Sequence, residues 1–356
     1  MRLSRFWVLT LISITVLTGA NCGYYNQVMA RKNLVDGSKA YKDRKFPEAE
    51  SLFRYAASLD PDGNSVEGRT AQLSLARTIH STYIGNRQKT EIAESALIEY
   101  NKSLPQSLKE LKDVVAAYDK DKTSQDAQRK YLSALSAVNS TTSAISSLYE
   151  NLAQPEKTKQ WQTKVAGDAE FPPTARARAL SSLAAKQNSC SNDITDTEAT
   201  KKTIKKDGKD VFQFIKPANP ADFAQLGQCV AEGKKLIDQA VALEPEEVKN
   251  AATFTITSLS DSQLPLFSEI FKVFESTRSY RSALLVQEMR SAEMDGRTPD
   301  RDRLRTEADA AKAKFAELSD VVKKITAEID KRIAEKIEAE KPESLKSANS
   351  NSAANK

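Results

Sequence analysis

Apolar residues recur at three- and four-residue steps along most of this chain, in stretches several helical turns long separated by Pro, Gly and Asn. Such a period places the apolar side chains on one helix face. Val66 to Tyr83 carries Ala71, Leu75, Ile79 and Tyr83 at four-residue spacing, and Gly85-Asn86 ends it. Thr90 to Ser103 follows with Ala93, Leu97 and Tyr100, before Pro105. Further helices are predicted over 107–118, 124–138, 142–152 and 156–165, the last carrying Trp161 and stopped by Pro172-Pro173. Others fall at 175–185, 222–243, 248–259 and 266–294. The final helix, opened by Pro299, carries Leu304, Ala308, Ala311, Phe315, Leu318, Val322, Ile325 and Ile329 in a strict 4-3-4-3 spacing, a heptad seam. Ile333 and Ile337 continue at four-residue steps and shift the stripe.

One segment breaks the helical period. Between Thr200 and Ile215 apolar and polar residues alternate around Asp207-Gly208. Asp-Gly within alternating residues marks a two-residue hairpin turn, because both turn positions need positive φ. A β-hairpin at about 200–216 is therefore predicted inside a helical chain.

Gly37, Phe46, Ala49, Phe53, Ala56 and Pro61 resemble, in type and spacing, the signature of the 34-residue tetratricopeptide repeat. The small Gly37 and Ala49 let two helices approach, Phe46 and Phe53 fill the space around them, and Pro61 stops the second helix. The pattern departs from the family at Asp36, where a large apolar residue is usual. Gly233, Ile237, Ala240 and Pro245 restore the spacing of Ala49, Phe53, Ala56 and Pro61 after the hairpin. With the hairpin included, the chain from roughly Ala30 to Ser319 resembles a group of exported bacterial tetratricopeptide proteins. That resemblance implies an all-α, tetratricopeptide-type helical-repeat solenoid with a small inserted β-hairpin and a long C-terminal helix. It also implies a concave groove that binds a protein partner, with Asn33, Gly37, Ala40 and Tyr41 of the first repeat as candidate contacts.

Composition agrees with helix over sheet: aromatics are 7% of 356 residues and glycines number 11. The formal net charge is +5, or +3 without Arg2 and Arg5, too mild over such a length to argue for nucleic acid.

The N-terminus has the three-part layout of a secretory signal: Arg2 and Arg5, an apolar stretch from Phe6 to Leu17, and the small residues Thr18-Gly19-Ala20. Cys22 directly after it makes the segment resemble a bacterial lipoprotein signal, which would attach the chain to a membrane. Gly19 and Asn21 depart from that pattern, and ordinary cleavage after Ala20 fits as well. The expected location is the periplasm or the outer membrane of a bacterial envelope. The chain then divides into a signal segment 1–21, a linker 22–29, the repeats 30–259, a C-terminal helical hairpin 260–341 and a polar tail 342–356.

Chemistry-bearing residues are sparse. His80 is the single histidine, with no acid or nucleophile grouped beside it, so it reads as a polar residue on a helix face. No phosphate loop, dinucleotide fingerprint or metal-ligand spacing is present, so neither a cofactor nor a metal is expected, nor an enzyme. Cys190 and Cys229 flank the hairpin and are candidates for a disulfide in an oxidising compartment; two small buried thiols is the alternative. Six lysines on the hairpin suit either an anionic partner or protection of exposed strand edges. Phe212 and Phe214, two apart, are expected to dock the hairpin on the helices. The function expected is a protein-binding scaffold, monomeric, its C-terminal heptads pairing within the chain. The alternative is an oligomer assembled through those heptads.

Overall fold

The computed structural model describes the backbone of residues 3–340 and the side chains of residues 23–339; the side chains of the signal segment, Cys22 and the 342–356 tail lie outside them. The described chain is all-α apart from one two-stranded antiparallel sheet. It divides into two compact units, residues 1–120 with 133–161, and residues 121–132 with 162–356.

In the first unit α1 (Leu3–Lys42) and α2 (Phe46–Ser58) form a hairpin, followed by α3 (Val66–Ile84) and α4 (Thr90–Lys120). Ala49, Phe53 and Ala56 are buried between them, and Gly37 lies directly against the Phe53 ring. The α1–α2 turn needs a left-handed residue, which Arg44 supplies at φ 58°. The α2–α3 loop is closed by Asp60, whose carboxylate accepts the Ser65 backbone N–H at 2.7 Å, the Ser65 hydroxyl at 2.6 Å and the Asn64 N–H at 3.1 Å. Ser65 in turn caps α3 by accepting from the Gly68 N–H. Segment 22–29 is not a linker; it is helical and belongs to α1, with Ala30 already buried one residue later.

Three expected boundaries fail. α4 runs straight through Pro105, because Leu104 and the flanking Ser103 and Ser107 are buried, and both serine hydroxyls turn back to helix carbonyls. Tertiary packing here outweighs the missing N–H. α5 (Gln125–Asn151) also continues through Asn139 to Thr142, where Ser140 and Thr142 bond back to carbonyls three and four residues earlier. After α6 (Pro155–Gly167), α7 (Pro173–Thr195) and α8 (Pro220–Ala242), the predicted 248–259 helix is absent. Only α9 (Glu246–Lys249) and one 3-10 turn (Ala251–Thr253) form. The residues beyond them, Phe254-Thr255-Ile256-Thr257, favour extended backbone, and Phe254 stacks on Phe267 and Phe271 instead.

α10 (Gln263–Met294) and α11 (Thr298–Glu340) are joined at Gly296, φ 73°. They pack along the heptad face: Leu304, Ala308, Leu318, Val322 and Ile325 are buried, while Ile333 and Ile337 are exposed. The pair is no separate 260–341 domain. Phe271, Phe274, Leu284 and Leu318 share one core with Leu180 and Ala184 of α7 and Ile237 and Ala240 of α8.

Between α7 and α8 stand β1 (Lys201–Lys206) and β2 (Lys209–Phe214), turning at Asp207 (φ 51°) and Gly208 (φ 73°). A disulfide from Cys190 to Cys229 ties the two helices below the hairpin, Cα atoms 6.2 Å apart. Among the described residues no helix is long and apolar enough to cross a membrane.

Candidate functional site

The groove is built by two parallel helices of the first unit. Gln27 Nε2 donates to Glu67 at 3.2 Å, and fourteen residues on along each helix, the Tyr41 and Ser81 hydroxyls meet at 2.9 Å. Beside these bridges, α1 from Gln27 to Lys42 and residues 64–70 at the start of α3 border an open groove of about 1010 Å³.

The α1 wall carries Arg31, Val35, Ser38, Lys39 and Lys42. Steps of four, three and four residues from Arg31 to Lys42 put them on one stripe of the helix. The α3 wall is the capped first turn, with Ser65, Val66 and Thr70. Val35 and Val66 are 64% and 60% exposed.

Electrostatically the groove is lopsided. Arg69 is committed, donating to the Gly63 and Asn64 carbonyls and to Glu110. Glu67 is engaged by Gln27. Arg31, Lys39 and Lys42 have no carboxylate at ion-pair distance among the described residues.

The expected contacts of the first repeat divide differently. Gly37 and Ala40 are buried in the α1–α2 interface and cannot meet a partner. Asn33 is half-buried and bonds to the Met29 carbonyl within its own helix. Tyr41 stacks edge-on against Phe46 and marks one end of the groove through Ser81. The lining stripe, one helical step away, was missed. Its visible signal was the spacing of Arg31, Val35, Ser38 and Lys42.

The residues with matching spacing occupy matching environments. Gly233 is buried as Ala49 is, and a Cβ there would lie 2.6 Å from Leu284 Cδ2 and 3.0 Å from Gln187 Cβ. Ile237 and Ala240 are buried as Phe53 and Ala56 are, and α8 ends three residues before Pro245 as α2 ends three before Pro61.

Elsewhere, a cleft of about 680 Å³ in the second unit is bordered by α8, α10 and α11. At its side Arg278 donates Nε and Nη2 to the two Glu244 oxygens, at 2.9 and 3.0 Å, and also reaches the Val248 and Lys314 carbonyls. Arg281 and Lys314 line it together with Asp238 and Glu317. The His80 Nδ1 lies 3.3 Å from the Tyr100 hydroxyl. Burial holds the imidazole below its usual pKa and pushes the tyrosine up to about 12. Among the described residues no group of three His, Cys, Asp or Glu is assembled for a metal.

On the hairpin only one phenylalanine docks. Phe214 is 8% exposed against Leu226, Val230 and Met294, under Arg290, whereas Phe212 is 59% exposed beneath Lys201. Cross-strand register puts Phe212 and Phe214 on one face, but only the base of the hairpin reaches the helices. Lys201 pairs with Asp196, Lys202 bonds the Glu198 carbonyl and Lys216 pairs with Asp295. No family model matches this chain, and no curated protein matches its sequence.

Proposed function

We propose that this chain is a non-enzymatic, tetratricopeptide-type scaffold of a bacterial envelope that holds a protein partner in the α1–α3 groove. The observation that carries the reading is the groove wall, where large apolar side chains stand in water beside unpaired cations. Isolated exposed apolar residues are ordinary, but Val35 and Val66 line one groove together with half-buried Leu34, a grouping that favours a docking surface. The Cys190–Cys229 disulfide supports an oxidising compartment, in line with the signal layout at 1–21 and attachment through a lipidated Cys22. The heptad face that would drive an oligomer is occupied by α10, which supports a monomer.

The test is chemical crosslinking in intact cells, purification of the tagged full chain and mass spectrometry, comparing the natural chain with Val35→Asp. A partner recovered with the natural chain and lost with the variant is expected. Equal recovery with both chains, or no protein adduct with either, overturns the reading. Mass spectrometry of the mature N-terminus checks export: an intact Met1 removes it, and a diacylglyceryl Cys22 establishes the anchor.

A further inference from the structure

We infer that the segment held in the α1–α3 groove is an acidic amphipathic helix of a partner protein, apolar on the side it buries and carboxylate-bearing on its flank. This rests on the groove being the docking site, and adds the chemistry of what docks.

The argument begins with charge. Three cations on the α1 wall, Arg31, Lys39 and Lys42, have no carboxylate to answer them among the described residues. Glu67, the acid among the groove's lining residues, accepts from the neutral Gln27 amide and keeps its charge, but the three cations outnumber it. A partner bringing carboxylates therefore meets cations that hold no ion pair among the described residues, and a basic partner is disfavoured beside them.

The apolar part is placed just as definitely. Val35 sits one turn beyond Arg31 and one turn before Lys39, and Val66 lines the same groove from the start of α3. Half-buried Leu34 also lines the groove. An occupant must therefore present apolar side chains inward and carboxylates to one side.

Spacing argues for a helix. Arg31 and Lys42 are eleven residues apart on α1, about 16 Å along the axis at ~1.5 Å per residue. Carboxylates seven and eleven residues apart on a partner helix lie on a single stripe and reach both ends of that wall. Laid along the groove, such a helix turns its apolar face toward Val35 and Val66 in the helix-in-groove manner. A flat anionic bilayer would meet the exposed cations but could not enter the recess between two bridged helices.

The probe is a labelled synthetic peptide of about five helical turns, Leu on one face and Glu on the other, with a twin carrying Lys for Glu. Fluorescence anisotropy is read with the full chain and with the charge-reversed chain Arg31→Glu/Lys39→Glu/Lys42→Glu. The Glu peptide should bind the natural chain, weaken with added salt, and lose about tenfold or more in affinity to the reversed chain. The reversed chain should gain the Lys peptide, a swap that a merely misfolded variant cannot show. Equal binding of both peptides by the natural chain, or no effect of reversal, overturns the inference. So does groove-dependent binding of phosphatidylglycerol vesicles in place of the peptide.

A photo-crosslinking residue at Ser38 in living cells separates this inference from the reading beneath it. An adduct mapping to an acidic segment of a partner supports both. An adduct on a neutral or basic segment overturns the charge assignment and leaves the docking site standing. No adduct, or a lipid adduct, overturns both.

Discussion

A Cβ on Gly37 would stand 2.8 Å from Cε1 and 2.9 Å from Cδ1 of Phe53, so the ring fills the space any side chain at position 37 would need. Phe53 is itself buried and cannot swing away. Gly37→Ala should therefore cost about 1–3 kcal/mol by overpacking, and Ala49→Trp or Ala56→Trp at least as much. Denaturant melts of the full chain check this, and unchanged melts for all three would show that the α1–α2 packing is wrong.

Arg278 and Glu244 are each 7% exposed and bonded in a two-pronged pair. Removing one partner strands a buried charge. Arg278→Met should destabilise the chain by about 3–5 kcal/mol, and adding Glu244→Leu should restore much of the loss. A double-mutant cycle from urea midpoints gives the answer, and strictly additive losses would refute it.

The loop closed by Cys190 and Cys229 spans a sequence separation of 39. Replacing both cysteines by serine should lower stability by about 4 kcal/mol on the chain-entropy account, less if the unfolded chain stays compact. Thiol labelling of the unfolded, unreduced chain is the direct check. Both cysteines should resist alkylation until a reductant is added.

Asp60 is held below the usual carboxyl pKa: burial works upward, but the Ser65 hydroxyl, the Ser65 and Asn64 backbone N–H groups and Arg69 outweigh it. The folded carboxyl thus ionises at lower pH than the unfolded one. Its contribution is fully present above about pH 4 and fades as pH falls through the folded value. Asp60→Ala should cost about 1 kcal/mol at neutral pH, as loss of a helix-entry cap does, and progressively less in acid. Melts of both chains across that range should converge, and a constant gap would contradict the role.

Legibility varied with how local the cause was. The hairpin was readable because Asp207-Gly208 encodes its own backbone geometry, and α2 because Pro61 and the small residues act within a few positions. α4 and α5 were cut too short because Pro105 and the Asn139–Thr142 run are local breakers. The burial that overrides them depends on residues brought in by packing, with local serine and threonine back-bonding only accompanying it. The 248–259 segment erred the other way: its spacing looked helical, but Phe254 is drawn to an aromatic cluster on α10. The groove was misplaced by one helical step for a related reason. Gly37 and Ala40 were chosen from the repeat signature, yet the smallness that marks them is what lets α2 cover them, so the open stripe had to lie beside it.

The crosslink beneath the hairpin has an architectural meaning as well. α7 and α8 are held together by a covalent bond and a shared core, so the connection between them carries no duty of keeping them paired. The hairpin touches the body only at its base, through Phe214, Lys201 and Lys216. Its outer half is a replaceable module: residues about the turn can be shortened, recoded or exchanged for another motif while the helices beneath keep their register. The pairing of α7 and α8 thus rests on a foundation that the inserted segment does not supply.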